Sequence, residues 1–236
     1  LPTYKTVADM IDHAILKPNI TREELTEEVL KLKPYNIGAL CVRSSDVTYV
    51  NELVADIDTK VITVVGFPHG TANTAGKVAE TKQAIADGAA EIDMVINVGF
   101  LLSGMISEVT ADIRAVVEAA HPLPVKVILE TAFLTAETIA AGSKASADAG
   151  AAFVKTSTGF NGGGAAIEDL KVMKEAIAGR SELKASGGIR SLDTLLEMLD
   201  LGVTRFGTSA TIAILDDLQS RYKTGHSLGT VDENSY

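Results

Sequence analysis

Short apolar runs alternate with longer amphipathic segments along almost the whole chain. The runs are rich in β-branched residues and nearly continuous, which is typical of parallel strands that helices cover on both faces of a sheet. The predicted strands are residues 10–16, 37–42, 60–67, 92–98, 125–130, 153–156, 183–185 and 205–207.

Helices are predicted between these strands. Thr21 and Glu24 form a capping-box pattern that opens the first, and a glycine follows several of the others, as is usual at helix C-termini. The other predicted helices are residues 45–55, 75–87, 103–120, 135–149, 166–178, 191–201 and 211–222.

About eight strand–helix units in 236 residues match a TIM (β/α)8 barrel, for which ~250 residues are typical. We expect one barrel domain over residues 1–236, with a polar tail at about 225–236. A doubly wound open sheet is the alternative. It is disfavoured because such sheets have fewer units, and no G-x-G-x-x-G motif follows the first strand.

Composition narrows the classes of partner and compartment. A net charge of -10 argues against nucleic acid or a membrane surface as the main partner, although a local group of lysines can still bind a small anion. A single cysteine, Cys41, excludes an internal disulfide. With no apolar run long enough to span a bilayer and no signal-peptide pattern, we expect a cytoplasmic protein.

Two lysine-centred segments carry the strongest chemical signal. They are Phe153-Val-Lys-Thr-Ser-Thr-Gly159 and Leu183-Lys-Ala-Ser-Gly-Gly-Ile-Arg190, each with a lysine in a predicted strand that glycine ends. A lysine in a buried strand is costly unless it is paired or used. Side by side, Lys155 and Lys184 would lower each other's proton affinity, so that one amine is neutral and nucleophilic near neutral pH.

A carboxylate completes this set. Asp93 lies within an apolar strand, where it could pass protons between the amines and a carbonyl substrate, directly or through a water. Lysines and an aspartate can also be paired for structural reasons alone. The matching positions of Lys155 and Lys184 in neighbouring units favour a Schiff-base site, whereas His13 and His69 are expected to have packing roles.

Small-residue turns after the last three strands predict a phosphate site, since barrels often bind phosphate there and glycine lets backbone N–H groups approach an anion. These turns are residues 155–159, 186–188 and 207–209. The four histidines show no metal-ligand spacing, so we expect no metal and no cofactor.

The chain resembles the 2-deoxyribose-5-phosphate aldolases, class I aldolases on a TIM barrel, along nearly its whole length. The resemblance rests on Ile11-Asp-His-Ala-Ile-Leu-Lys-Pro18, Val65-Gly-Phe-Pro-His-Gly70, Glu91-Ile-Asp-Met-Val-Ile-Asn97, Lys126-Val-Ile-Leu-Glu-Thr131, the two lysine segments, and Arg205-Phe-Gly-Thr-Ser209.

The resemblance implies a lyase of deoxyribose phosphate catabolism that reversibly cleaves 2-deoxy-D-ribose 5-phosphate to D-glyceraldehyde 3-phosphate and acetaldehyde. It implies that Lys155 forms the imine, Lys184 lowers the pKa of Lys155, and Asp93 relays protons. It also places Asp12 and Lys126 in the site network and makes the terminal Tyr236 a candidate for proton transfer. The resemblance further implies that the phosphate lies against Gly159, Gly187, Gly188, Gly207 and Ser209.

Three positions differ from patterns in the family and are expected to reshape phosphate contacts. Phe160 replaces a lysine of some members, Ala210 a serine, and Ala14 a threonine. Cys41 is either a small buried residue or a thiol that an unsaturated aldehyde attacks.

Alternatives to this function are another lysine-dependent barrel aldolase acting on a different sugar phosphate and a non-catalytic phosphosugar-binding barrel. On family grounds we expect small phosphosugar and aldehyde substrates and a homodimer.

Overall fold

The computed structural model describes residues 1–225 and contains a closed barrel of eight parallel strands in sequential order, with β8 hydrogen-bonded to β1. This confirms the predicted (β/α)8 fold. The strands are β1 (Ile11–Ile15), β2 (Ala39–Val42), β3 (Lys60–Val65), β4 (Ile92–Val95), β5 (Val125–Ile128), β6 (Phe153–Lys155), β7 (Glu182–Ser186) and β8 (Arg205–Thr208).

Helices connect the strands. They are α1 (Tyr4–Asp9), α2 (Arg22–Leu32), α3 (Val47–Leu53), α4 (Thr74–Ala86), α5 (Val98–Leu102), α6 (Ile106–Ala120), α7 (Ala136–Asp148), α8 (Ile167–Ile177), α9 (Leu192–Leu201) and α10 (Thr211–Lys223), with 3-10 turns at Lys33–Tyr35, Ser44–Asp46 and Thr131–Phe133. The predicted capping box at Thr21 and Glu24 is present at the start of α2.

The main core contains aliphatic residues of strands and helices, such as Ile92, Met94, Val127 and Leu170. A smaller apolar cluster consists of residues from β2 and β3 with Leu16. Four charged residues, Asp93, Lys126, Lys155 and Lys184, alternate with the main-core positions of β4–β7. In a barrel strand successive side chains face opposite sides, so these polar residues share the interior.

Strand register brings the polar positions together. Asp93 on β4 is paired with Lys126 on β5, and Lys155 on β6 is paired with Lys184 on β7. Asp12 on β1 lies beside Gly207 on β8. The lysines that the sequence places in neighbouring strands are therefore at the same height in the barrel.

Several predicted strands end earlier than expected. β3 ends before Gly66 and β5 before Glu130, and both residues have positive φ angles, 61° and 59°. The apolar run 92–98 was predicted as one strand, but Asn97 caps a helix, α5, by accepting a hydrogen bond from Phe100 N. Gly104, at a φ of 71°, separates α5 from α6, so the predicted helix 103–120 begins later, at Ile106.

The predicted tail falls largely on residues 226–236, which lie outside the described residues. Across residues 1–225, none of the helices has both the length and the apolar character that a membrane crossing requires.

Candidate active site

A buried layer of charged side chains occupies the barrel interior. Its members are Asp12 from β1, Glu91 just before β4, Asp93 from β4, Lys126 from β5, Lys155 from β6, Lys184 from β7 and Arg205 from β8. Each is joined to at least one other member by an ion pair.

Lys155 and Lys184 meet at one carboxylate oxygen. The Nζ atoms of both lysines donate to Oδ2 of Asp93, each at 2.8 Å. All three residues are buried, with Asp93 fully shielded from solvent and Lys155 4% exposed. The three residues expected to carry the chemistry thus form one contiguous cluster.

The two amines differ in their carboxylate partners. Lys184 also donates to Oδ2 of Asp12 at 2.5 Å, whereas Asp93 is the one carboxylate that Lys155 pairs with among residues 1–225. Burial lowers the pKa of Lys155 below the ordinary lysine value, and the Lys184 cation lowers it further against the attraction of Asp93. Burial opposes charge on Lys184 as well, but Asp12 and Asp93 outweigh it and raise the pKa of Lys184. Lys155 is therefore the amine that loses its proton more easily.

Lys126 holds the other side of Asp93. Its Nζ lies 2.8 Å from Oδ1 of Asp93, 2.6 Å from Oε2 of Glu91 and 3.5 Å from Oδ2 of Asp12. Although burial opposes ionisation, Lys126, Lys155 and Lys184 hold the pKa of Asp93 well below its usual range. Lys184, Lys126 and Arg205 likewise lower the pKa of Asp12 to about 2. Both aspartates are thus carboxylates at neutral pH.

Glu91 and Arg205 belong to two of the motifs that carry the family resemblance, but no role in the site was predicted for them. Arg205 Nη1 lies 2.9 Å from Oδ1 of Asp12 and 3.0 Å from Oε2 of Glu91. Their part in the layer was not predicted because ion pairs between β1, β4 and β8 depend on barrel closure. The cue in the sequence was an ionisable residue at or just before the first position of a buried strand.

A cavity of about 320 Å³ opens above the lysines. Its walls include Lys155, Lys184, Asp12 and Cys41, and also every residue of the predicted phosphate site: Gly159, Gly187, Gly188, Gly207 and Ser209. The lysine predicted to form the imine and the residues predicted to bind phosphate therefore line one cavity. Asp93 and Lys126 do not line it; they act on it through the lysines.

Two glycines of this cavity have clear steric reasons. A Cβ at Gly207 would lie 2.8 Å from Cβ of Ser186 and 3.5 Å from Cε of Lys184, so a side chain there would collide with the wall. Gly188 has a φ of 78° and open space around it, which leaves its backbone free to face a ligand. Lys17 and Arg190 also line the cavity as exposed cations that the phosphate prediction did not include.

The loop after β6 is tied to Glu130. The carboxylate of Glu130 accepts hydrogen bonds from Thr158 N at 3.1 Å and Asn161 Nδ2 at 2.8 Å, and from the Thr158 hydroxyl. Glu130 is 1% exposed and forms no ion pair with any cation in residues 1–225. Phe160, in the same loop, lines the cavity and packs edge-on against Phe67 with 5.3 Å between ring centroids.

Cys41 lies in the cavity wall and is buried. Burial raises the pKa of its thiol to about 11, so the reactive thiolate is scarce at neutral pH. His13 is buried and hydrogen-bonded to Thr211 Oγ1 and Glu28 Oε1, and His69 lies outside this cavity. Tyr236 lies outside the described residues.

A metal site was not expected from the sequence. Among the side chains of residues 1–225, the structure has no group of three or more His, Cys, Asp or Glu residues arranged to hold a metal ion. Independence from metal and cofactor stays a prediction for experiment.

Comparison with known proteins places this cavity in a family context. A family model described as DeoC/LacD family aldolase matches residues 6–229. A deoxyribose-phosphate aldolase from Staphylococcus epidermidis is 47% identical over 213 residues, which cover 90% of this chain and 97% of the relative. Deoxyribose-phosphate aldolase 1 from Staphylococcus aureus strain MRSA252 is 47% identical over 210 residues, which cover 89% of this chain and 96% of the relative.

Solved structures agree with this relationship. A deoxyribose phosphate aldolase from Aeropyrum pernix, described as tetrameric, superposes with a TM-score of 0.84 at 28% identity. The match covers 93% of this chain and 94% of that one. From the fold, the sequence identity and the family match together, the chain belongs to the DeoC/LacD family of aldolases.

Proposed function

We propose that this chain is a class I aldolase that reversibly cleaves 2-deoxy-D-ribose 5-phosphate to D-glyceraldehyde 3-phosphate and acetaldehyde. One observation carries the proposal: Lys155 and Lys184 share Oδ2 of Asp93 at the wall of a cavity whose other wall is built of glycine turns. Family membership and the names of the relatives support the substrate.

Lys155 is proposed as the nucleophile. Its neutral amine attacks the C1 aldehyde of the open-chain sugar, and loss of water gives a protonated imine. The C3 hydroxyl then gives up its proton, the C2–C3 bond breaks, and its electron pair forms the C1–C2 double bond as the imine nitrogen becomes an enamine nitrogen. Glyceraldehyde 3-phosphate leaves, C2 is protonated, and hydrolysis frees acetaldehyde and Lys155.

Asp93 is proposed to carry protons in these steps. It contacts both amines at hydrogen-bond distance, so it can pass a proton between them, and one bridging water would extend its reach to the substrate hydroxyl. Lys184 stays charged and holds Lys155 neutral, while Asp12 and Lys126 orient Asp93 and Lys184.

The substrate phosphate is proposed to bind at the glycine turns and Ser209, where the exposed cations Lys17 and Arg190 also line the cavity. These cations support phosphate binding even though Phe160 occupies the position of a lysine in some family members.

Assembly and context are proposed more broadly. We infer that residues 1–236 form a single domain and that the protein assembles as a homodimer in the cytoplasm, where its single cysteine stays reduced. Tyr236 is proposed to assist proton transfer from the C-terminal segment.

The test is a coupled assay for acetaldehyde release from 2-deoxy-D-ribose 5-phosphate in the presence of EDTA. Acetaldehyde release that EDTA does not reduce is expected. If the protein releases no acetaldehyde but forms dihydroxyacetone phosphate from a keto-sugar phosphate, a lysine-dependent aldolase of a different sugar phosphate would be favoured. A phosphosugar that binds without turnover would favour the non-catalytic barrel.

A further inference from the structure

The buried layer is charge-balanced when Lys155 is neutral. Its negative members are the carboxylates of Asp12, Glu91 and Asp93, and its positive members besides Lys155 are Lys126, Lys184 and Arg205. Three charges of each sign cancel within this group. A proton on Lys155 would leave one uncompensated positive charge in a buried region, which is unfavourable.

Arg205 is the member that completes this balance. A guanidinium does not deprotonate in proteins, so it is a permanent positive charge. It is held at 2.9 Å from Asp12 and 3.0 Å from Glu91, with its Cζ 5.2 Å from the centre of the Phe153 ring. Phe153 is the first residue of the strand that carries Lys155.

Neither Glu91 nor Arg205 lines the cavity with Lys155 and Lys184. Glu91 precedes β4 and Arg205 begins β8, so both lie at the strand starts, whereas Lys155 ends β6. Lys126 links the two levels because it contacts both Glu91 and Asp93. The effect of Glu91 and Arg205 on Lys155 is therefore electrostatic rather than through substrate contact.

From this arrangement we propose that Glu91 and Arg205 are positioning residues that set the protonation state of Lys155 from the N-terminal ends of the strands. The proposal rests on the proposed function, in which Lys155 forms the imine. Arg205 satisfies Asp12 and Glu91, so that Lys155 is not needed as a counter-ion. The negative charge of Glu91 acts in the opposite direction, because it stabilises a proton on Lys155.

The other titratable groups around Lys155 do not replace this pair. Asp93 on β4, Lys184 on β7 and Cys41 on β2 act on the charge of Lys155. Asp12 on β1 lines the same cavity, and Lys126 on β5 contacts Asp12 and Asp93. Cys41 is uncharged at neutral pH. Lys60, at the start of β3, lies 3.4 Å from Glu91 but its side chain is 56% exposed, and Lys17 and Arg190 are exposed at the cavity mouth, so water and salt screen all three.

The two residues make opposite predictions. At an effective dielectric near ~20, removal of a unit charge roughly 12 Å from a buried amine shifts the titration of that amine by about one pH unit, and a smaller separation gives a larger shift. Arg205→Gln should raise the apparent pKa of Lys155 by about that amount, and Glu91→Gln should lower it by a similar amount. The double variant restores the balance and should stay near the wild type, as should Arg205→Lys, which keeps the charge.

The experiment is reductive alkylation of Lys155 by acetaldehyde and cyanoborohydride at a series of pH values, with the extent of ethylation read by peptide mass spectrometry. Every variant is compared with the wild type at each pH, because the reduction step has its own pH dependence. Circular dichroism and a melting curve establish which variants fold.

Opposite shifts in the two single variants, absent in the double variant, support the proposal, because a loss of packing alone would not change sign. Unchanged values, or shifts in the same direction, overturn it. If Arg205→Gln does not fold, Glu91→Gln decides: an unchanged or raised pKa contradicts the proposal. A wild-type protein that takes up no two-carbon unit at Lys155 would instead contradict the proposed function.

Discussion

Lys155 and Lys184 donate to the same oxygen, Oδ2 of Asp93, and Lys184 alone has a second carboxylate, that of Asp12. In the proposed function, this difference makes Lys155 the nucleophile. Lys184 is the better-compensated cation and keeps its proton, so the burial cost of two neighbouring ammonium groups is relieved by loss of the proton from Lys155.

Removal of the Lys184 charge should leave Lys155 protonated. In Lys184→Met, the cation that lowers the pKa of Lys155 is gone, and Lys155 no longer shares Oδ2 of Asp93 with a second ammonium group. We expect kcat/KM at pH 7 to fall by roughly 100-fold and its acidic limb to move to higher pH. The pH profile of Lys184→Arg, which keeps the charge, is the control. An unmoved acidic limb in Lys184→Met would contradict this role.

Asp93 should matter more for turnover than for imine formation. Asp93 raises the pKa of Lys155, so Asp93→Asn leaves that amine easier to deprotonate while removing the proton relay. We expect kcat to fall by roughly 10²–10⁴-fold, the usual range for loss of general acid–base catalysis, while borohydride still tethers acetaldehyde to Lys155. Parallel loss of tethering and turnover in a folded variant would show that Asp93 is needed earlier.

Glu130 should position the loop after β6, which contributes Gly159 to the proposed phosphate site. Its two oxygens each accept from an N–H donor, Oε1 from Thr158 N and Oε2 from Asn161 Nδ2. Glutamine can accept only one of these, because its NH₂ group would face the other donor. We expect Glu130→Gln to raise KM for 2-deoxy-D-ribose 5-phosphate by about tenfold, the cost of one lost hydrogen bond to a charged group, with little change in kcat/KM for unphosphorylated deoxyribose.

A reciprocal exchange provides the control for this prediction. In Glu130→Gln with Asn161→Asp, the glutamine NH₂ donates to the new carboxylate and its oxygen still accepts from Thr158 N. Recovery of KM in this double variant is expected. Equal losses on both substrates in Glu130→Gln, without recovery in the double variant, would indicate a general structural defect instead.

The buried ion pairs should make stability depend on acid pH. The pKa of Asp12 is about 2 in the folded protein and 3.8 when unperturbed, so its stabilisation is present above pH ~4 and is lost as the pH falls toward 2. This carboxylate contributes about 2 kcal/mol to that pH dependence. Urea unfolding between pH 5 and 2 should show a smaller slope of the unfolding free energy against pH for Asp12→Asn than for the wild type. Equal slopes in Asp12→Asn and wild type would contradict the effect.

The sequence was sufficient for the barrel and for the placement of Lys155, Lys184 and Asp93 in one cluster, since neighbouring parallel strands keep matching positions at the same height. Glu91 and Arg205 could not be assigned, because the contacts of Arg205 with Asp12 and Glu91 form only after β1 and β8 close the barrel. The exact strand ends were also missed. Glu130, just beyond β5, has a left-handed backbone, and its carboxylate accepts hydrogen bonds from a loop that follows a later strand.

The most direct test of the central claim is borohydride reduction of the wild-type protein in the presence of acetaldehyde, followed by peptide mapping. We expect one two-carbon unit on Lys155, none on Lys184, and no cleavage of 2-deoxy-D-ribose 5-phosphate by Lys155→Met. A two-carbon unit on Lys184 instead, or continued turnover by Lys155→Met, would contradict it.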